Sequence, residues 1–252
     1  MSNLKITGIN FDIHWKDKDQ NFRSLDKMTD KISADIIVLP EMFSTGFYMN
    51  AEEIADRNEE TLKWMQQLAT RKQTAVCGSA SVADHGKFVN RFYFVSPDGT
   101  YQKYDKRHLF SYSDEDKTYA AGQERVIVHY KGWRILLQVC YDLRFPVFSR
   151  NNDDYEVVLY VANWPAARID AWNTLLKARA IENQSYVFGL NRIGTDGNGL
   201  VYPESSYCYF ANGDLVSETE EYFVHAVLDR EKLQIFRNRF KFLDDRDQFK
   251  IF

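Results

Sequence analysis

The sequence predicts an α/β protein built on two mixed β-sheets faced by helices. Two observations carry that reading. In the first third of the chain, apolar runs of strand length alternate with stretches of helical period, the pattern of crossover connections. Further on, strand-like segments follow one another through glycine-containing turns, which adds hairpins to the parallel pairs.

Leu4 to Ile13 reads as a strand, and Asp19 to Ile32 as a helix with Phe22, Leu25 and Met28 on one side. Asp35 to Leu39 is a short apolar strand of the kind buried on both faces. Ala55 to Arg71 repeats the helical spacing with Leu62, Met65 and Leu68. Thr74 to Val82 and Lys87 to Ser96 are strands joined through Asp84-His-Gly86, and Pro97-Asp-Gly99 makes the next turn. Val126 to Tyr130 and Trp133 to Val139 form a hairpin about Lys131-Gly132, and Glu156 to Val161 is a buried strand. Ala166 to Gln184 is the clearest helix, with Ile169, Trp172, Leu176 and Ala180 aligned. Tyr186 to Arg192, Ser206 to Phe210, Asp214 to Ser217 and Glu221 to Leu228 are strands, and Arg230 to Phe236 opens a last helix.

The 252 residues are 44% hydrophobic and 27% charged, enough apolar material for a full-sized core. No Pro-, Gly- or Ser-rich linker divides them, so residues 1–252 read as one domain. A net charge of -4 argues against a nucleic-acid binder, which normally shows a basic face. Arg237, Arg239 and Lys241 are followed by Asp244, Asp245 and Asp247, which reads as a locally neutralised, solvated face. The N-terminus has no leader pattern, and no stretch approaches the roughly 18 apolar residues of a membrane span, so no membrane partner is expected. Cys77, Cys140 and Cys208 are too few and too scattered for a disulfide framework; a reducing cytoplasm fits. Cys77 and Cys208 read as buried structural thiols.

Cys140 differs. A largely apolar run, Ile135 to Val139, delivers it to a strand end, and Pro146 soon follows, so the chain turns sharply there. Strand-to-turn positions are where α/β folds expose reactive groups. Glu41 follows the apolar strand and Pro40 directly, so a half-buried carboxylate is expected there; Lys106 sits at another strand end, between apolar anchors. A thiol needs a base or a cation beside it to act as a nucleophile. Thiol, carboxylate and amine are together the parts of nucleophilic acyl transfer.

Three segments, Leu39-Pro-Glu41-Met-Phe-Ser-Thr-Gly-Phe47, Tyr104-Asp-Lys106-Arg-His-Leu-Phe110 and Val139-Cys140-Tyr-Asp-Leu-Arg-Phe-Pro146, resemble the nitrilase superfamily of carbon-nitrogen hydrolases. The similarity runs from about Leu4 to Asp247. Glu41-Met-Phe-Ser-Thr-Gly-Phe, Ala162-Asn-Trp-Pro-Ala-Ala-Arg168 and Lys177-Ala-Arg-Ala-Ile-Glu-Asn183 look most like the ω-amidase branch, which acts on 2-oxoglutaramate and related 2-oxo acid amides. The resemblance implies a four-layer αββα sandwich of two mixed sheets, at least a homodimer, and a small-molecule amide substrate. It makes Cys140 the nucleophile, Glu41 the general base and Lys106 the cation at the oxyanion. The backbone N–H of Tyr141 is the second oxyanion donor. Glu115 aligns with a further active-site glutamate, although Asp114 and Asp116 leave its register open. Arg168 is the candidate for the substrate carboxylate, and Trp164 for a pocket wall.

Other chemistries fit poorly. There is no Gly-x-Ser-x-Gly elbow, and the five histidines lack metal-ligand spacing, so neither metal nor cofactor is expected. Gly194-Thr-Asp-Gly197-Asn-Gly199 leads into Leu-Val-Tyr-Pro203 rather than a helix, which makes it a flexible turn and not a phosphate loop. A metal-dependent phosphoesterase would need a Ser-Asp-His segment near the C-terminus, where Asp244-Asp-Arg-Asp247 stands instead. A non-catalytic scaffold would have no use for the glutamate–lysine–cysteine set.

Overall fold

The computed structural model describes residues 3–251. In chain order the elements are β1 (Leu4–Ile9), α1 (Lys18–Thr29), β2 (Ile36–Val38), α2 (Ala51–Ile54), α3 (Glu60–Lys72), β3 (Ala75–Asp84), β4 (Lys87–Val95) and β5 (Tyr101–Asp105). There follow α4 (Glu115–Thr118), β6 (Ile127–Tyr130), β7 (Trp133–Val139), α5 (Pro146–Ser149), β8 (Val157–Ala162), α6 (Ile169–Asn183) and β9 (Tyr186–Asn191). The chain closes with β10 (Gly194–Thr195), β11 (Val201–Tyr202), β12 (Tyr207–Tyr209), β13 (Ser217–Glu220), β14 (Phe223–Leu228) and α7 (Arg230–Arg239).

Two mixed sheets face each other. One runs β13-β14-β1-β2-β3-β4-β5 and the other β12-β9-β8-β7-β6. Their centres are parallel, β1 with β2 and β3 in the first, β7 with β8 and β9 in the second. The remaining pairs are antiparallel hairpins or edges. Strand alternation sorts the first sheet's side chains. Ile36 and Val38 join the cluster between the sheets, while Ile37 joins Leu25, Leu62, Met65 and Leu68 of α1 and α3. Trp172, Leu176 and Ala180 of α6 cover the second sheet. Each fully buried aliphatic side chain here contributes about 1.5–3 kcal/mol. The result is the four-layer αββα sandwich. At Gly8 the sheets come so close that a Cβ would lie 2.6 Å from Leu190 Cδ1, so β1 needs a glycine there.

The boundaries differ from the sequence reading where tertiary contacts intervene. β1 stops at Ile9, because Asn10 donates its N–H to Tyr222 O (2.8 Å) and the chain leaves the sheet. Phe11 and Ile13 continue the alternation but only fill the helix-side cluster. α1 begins one residue earlier, where the Asp17 side chain accepts from Gln20 N (2.9 Å) as an N-cap. The expected helix from Ala55 to Arg71 starts only at Glu60, as α3; α2 ends at Ile54, before that span. Between them Asp56, buried and paired with Lys18, bonds its backbone to Ser81 O and accepts Thr61 N at 2.8 Å. Both predicted hairpin turns are present, His85-Gly86 and Lys131-Gly132, each with positive φ at both residues as two-residue turns require. The last part of the Ala166 to Gln184 helix is regular, but its first turn, Ala166–Arg168, is 3-10. Asp214 to Val216 stay outside the sheets apart from a Leu215 bridge, and the strand forms at Ser217–Glu220.

Two further expectations need correction. The glycine-rich stretch after Arg192 is no free turn; β10 and β11 pair into a ribbon whose tip is held by Asp196, which accepts Asn198 N, Leu200 N and the Tyr202 hydroxyl. Arg237 is not part of a merely solvated face. It donates to Gln184 O and Tyr155 O, tying α7 to loops beneath it.

Candidate active site

The carboxyl ends of the parallel strands converge between the sheets, where open α/β folds place their sites. β2 ends at Val38, and beyond Leu39 and Pro40 the chain folds inward: Met42 takes φ 47° and donates its N–H to Ser79 Oγ (3.0 Å). Glu41 is therefore fully buried rather than half buried. Lys106 follows β5, a strand the sequence had not delimited. Its backbone N–H bonds Asn90 O and its carbonyl accepts Gly122 N, both at 2.9 Å. A Cβ on Gly122 would fall 2.0 Å from Asp105 O, so only glycine permits that approach. Glu115 opens α4 and is fully buried, with Phe110 N bonded to its Oε2 at 2.6 Å. Asp114 and Asp116 are exposed, so of the three acids Glu115 alone is buried beside Lys106. Cys140 directly follows β7 with φ 46°, a left-handed conformation that a non-glycine residue adopts at a cost of about 1–3 kcal/mol.

The buried polar side chains form a connected set. Lys106 Nζ donates to Glu41 Oε1 (2.9 Å) and to Glu115 Oε1 (3.0 Å) and Oε2 (2.9 Å). Asn90 Nδ2 donates to Glu41 Oε1 (2.8 Å) and Glu115 Oε1 (3.2 Å). Glu41 Oε2 accepts Asn163 N at 2.9 Å, and the Asn163 carbonyl lies 3.9 Å from Cys140 Sγ. Fixed N–H donors thus face every oxygen of the two carboxylates.

Burial pushes the Cys140 thiol well above its ordinary range, and the Glu41 charge adds to this while Lys106 works against it. Burial alone would lower Lys106, but the Glu115 and Glu41 carboxylates outweigh it and hold the ammonium firmly charged. Glu115 is raised by burial, with Lys106 opposing. A thiol held up in this way could act as a nucleophile only with a base beside it. Cys77 and Cys208 are buried and pushed upward by desolvation alone, with no such company.

Cys140 lines a cavity of about 260 Å³, sized for a small substrate. Tyr141, Trp164 and Arg168, all singled out from the sequence, line it too, together with Phe47, Asn163 and Arg144. The Arg168 guanidinium lies 4.8 Å from the Phe110 ring centre and that of Arg144 5.2 Å from Trp164. Trp164 Nε1 donates to Arg168 O (2.7 Å), which pins the ring as a wall. Sequence reasoning missed Asn90, Asn163, Arg144 and Asp142. Asn163 and Arg144 lay inside quoted motifs and were legible by position; nothing in the sequence marks Asn90, whose side-chain partners Glu115 and Glu41 lie 25 and 49 residues away. Among the described residues no cluster of His, Cys, Asp and Glu is arranged to hold a metal ion.

A strand-end thiol beside two carboxylates and a charged ammonium, in an αββα sandwich, is the arrangement of a hydrolase of carbon–nitrogen bonds. The chain belongs to the carbon-nitrogen hydrolase family, whose model matches residues 5–237. It is 48% identical to omega-amidase YafV of Yersinia enterocolitica over 253 residues, covering 99% of each chain. It is 33% identical to 2-oxoglutaramate amidase of Bacillus subtilis (strain 168), covering 76% of this chain and 77% of that one. The crystal structure of XC1258 from Xanthomonas campestris, a CN-hydrolase superfamily protein with an arsenic adduct in its active site, superimposes with a TM-score of 0.96 at 38% identity over both full chains.

Proposed function

We propose that this protein is an ω-amidase, cleaving the terminal amide of a 2-oxo acid monoamide such as 2-oxoglutaramate to the acid and ammonia. One observation carries the reading: Cys140 lines a small cavity with the Glu41–Lys106–Glu115 set beside it and two guanidiniums, Arg144 and Arg168, along its wall. The names of the relatives agree with it.

Glu41 takes the thiol proton while sulfur bonds to the amide carbonyl carbon. The oxyanion is met by an N–H of Lys106 and by the Tyr141 backbone N–H; one such donor is worth about 2.7–4 kcal/mol in the transition state. As the C–N bond breaks, nitrogen takes the proton from Glu41 and leaves as ammonia. Water then attacks the thioester, giving a proton to Glu41 that returns to sulfur as the acid departs. Glu115 keeps Lys106 charged and in place. Arg168, aided by Arg144, binds the distal carboxylate, and Trp164 walls the pocket. No metal or cofactor takes part. Residues 1–252 act as one domain, in the cytoplasm, as a homodimer; light scattering of the purified protein tests the last point.

Glutamine carries the same amide and carboxylate but has an ammonium where the 2-oxo compound has a ketone. Placing that ammonium near Lys106 and two arginines costs desolvation and like-charge repulsion. Ammonia release should therefore favour 2-oxoglutaramate by at least about tenfold in kcat/KM, about 1.4 kcal/mol. Equal rates on the two compounds would sink the ω-amidase reading and leave the family membership standing.

A further inference from the structure

We propose that Asn163 reads the leaving group: its side-chain oxygen accepts an N–H of the scissile carboxamide. The inference rests on the amidase reading above and goes beyond it.

Asn163 follows β8 directly and touches both halves of the site. Its Nδ2 donates to Glu41 O at 2.6 Å and lies 3.4 Å from Glu41 Oε2. Turning the amide over would set its oxygen against two acceptors, so the orientation is fixed by chemistry. Oδ1 is then committed to the other side. It is buried and has no hydrogen-bond partner among the described residues, while the residue itself is 6% exposed and lines the cavity beside Cys140.

An unpartnered buried acceptor costs about 1–3 kcal/mol, unless the ligand supplies the donor. A primary carboxamide supplies two N–H groups on the atom that departs. An ester, an acid anion or a nitrile offers none at that atom. With one N–H held on Asn163 Oδ1, the nitrogen lone pair turns toward Glu41, whose Oε2 is also held by Asn163 N. The same residue thereby orders the donor of the proton and its recipient.

The test compares Asn163→Ala with wild type on 2-oxoglutaramate and on the methyl ester of the same acid. Both form the same thioester, so they differ only in the leaving atom. The variant should lose at least about tenfold more kcat/KM on the amide than on the ester. Equal losses would overturn the proposal, because they would mean that Asn163 acts only by holding Glu41. A second measurement leaves Asn163 intact. Cys140→Ala protein should bind the amide at least about tenfold more tightly than the isosteric methyl ketone, which has CH₃ in place of NH₂; equal affinities would also overturn it. If wild type cleaves the ester and some other amide but not 2-oxoglutaramate, the substrate reading alone falls, and the Asn163 comparison is decided on that other amide.

Discussion

The Asp142 carboxylate, two residues after Cys140, accepts both the backbone N–H (3.0 Å) and the ring Nδ1 (2.8 Å) of His108, two residues after Lys106. Its other oxygen accepts Val139 N (2.9 Å) and the Tyr104 hydroxyl (2.8 Å). One buried side chain therefore joins the end of β7 to the segment after β5, and so fixes the thiol relative to the ammonium across the two sheets. His108 also stacks on Phe145, 3.9 Å between ring centres, which closes the turn from outside.

Asp142→Asn tests that link. The amide keeps the shape but can accept on only one atom, so a buried donor such as Val139 N–H loses its partner at about 1–3 kcal/mol. Thermal unfolding should fall by roughly 2–4 °C per kcal/mol. Because the change misplaces reacting groups and leaves the pocket wall alone, kcat should drop with KM nearly constant. A raised KM at full kcat would place Asp142 in substrate binding instead.

Replacing Cys140 by alanine should abolish turnover on every substrate while the fold persists. The stability lost should be about 1 kcal/mol, within the usual range for a small buried side chain. Glycine at the same position should be the more stable of the two by about 1 kcal/mol, since φ 46° strains any residue with a Cβ. Urea titration of both variants checks this, and residual turnover above a trace in the alanine protein would remove Cys140 as nucleophile.

Lys106→Met should cut kcat by about two to three orders of magnitude, as loss of an oxyanion donor does. It also strands two buried carboxylates, a loss of about 3–5 kcal/mol. Adding Glu115→Gln to it should restore part of the stability and none of the activity. Recovery of activity in the double variant would show that Lys106 serves only as a counter-ion.

Glu115 gives a pH signature. Its carboxyl is raised by burial, so above the ordinary carboxylate range the folded state retains a proton that the unfolded state has released. Stability then declines as pH rises from the unfolded value through the folded one, and the decline is complete above the latter. Glu115→Gln should flatten that slope between mildly acidic and neutral pH, in denaturant midpoints measured against wild type. It should at the same time reduce kcat. An unchanged slope would mean that Lys106 fully offsets the burial.

The alternation of strands and helices, the two-residue hairpins and the buried character of β2 and β8 are local properties, and they were readable residue by residue. So were Glu41 and Cys140 as strand-end groups, because each stands close after a largely apolar run; Lys106 follows Tyr101-Gln-Lys-Tyr-Asp105, which is not apolar, and stood out only by its neighbours. Boundaries failed where a distant partner intervened: no local period says that Asn10 will bond Tyr222, or that Asp56 will be drawn against β3 and delay the start of a helix. Glu115 and Asp114 are chemically alike in the chain, and only the fold buries one and exposes the other. The Asn90 side chain gains its place through partners 25 or more residues away, Glu115 and Glu41, and even Asn163 and Asp142, which lie inside motifs, take their roles from distant Glu41, His108 and Tyr104. The sequence by itself determined which chemical groups end up at strand termini, since that follows from apolar patterning. Their assembly into one connected hydrogen-bonded set was decided by the tertiary structure, because hydrogen bonds between sheets depend on strand order and register, which no local propensity encodes.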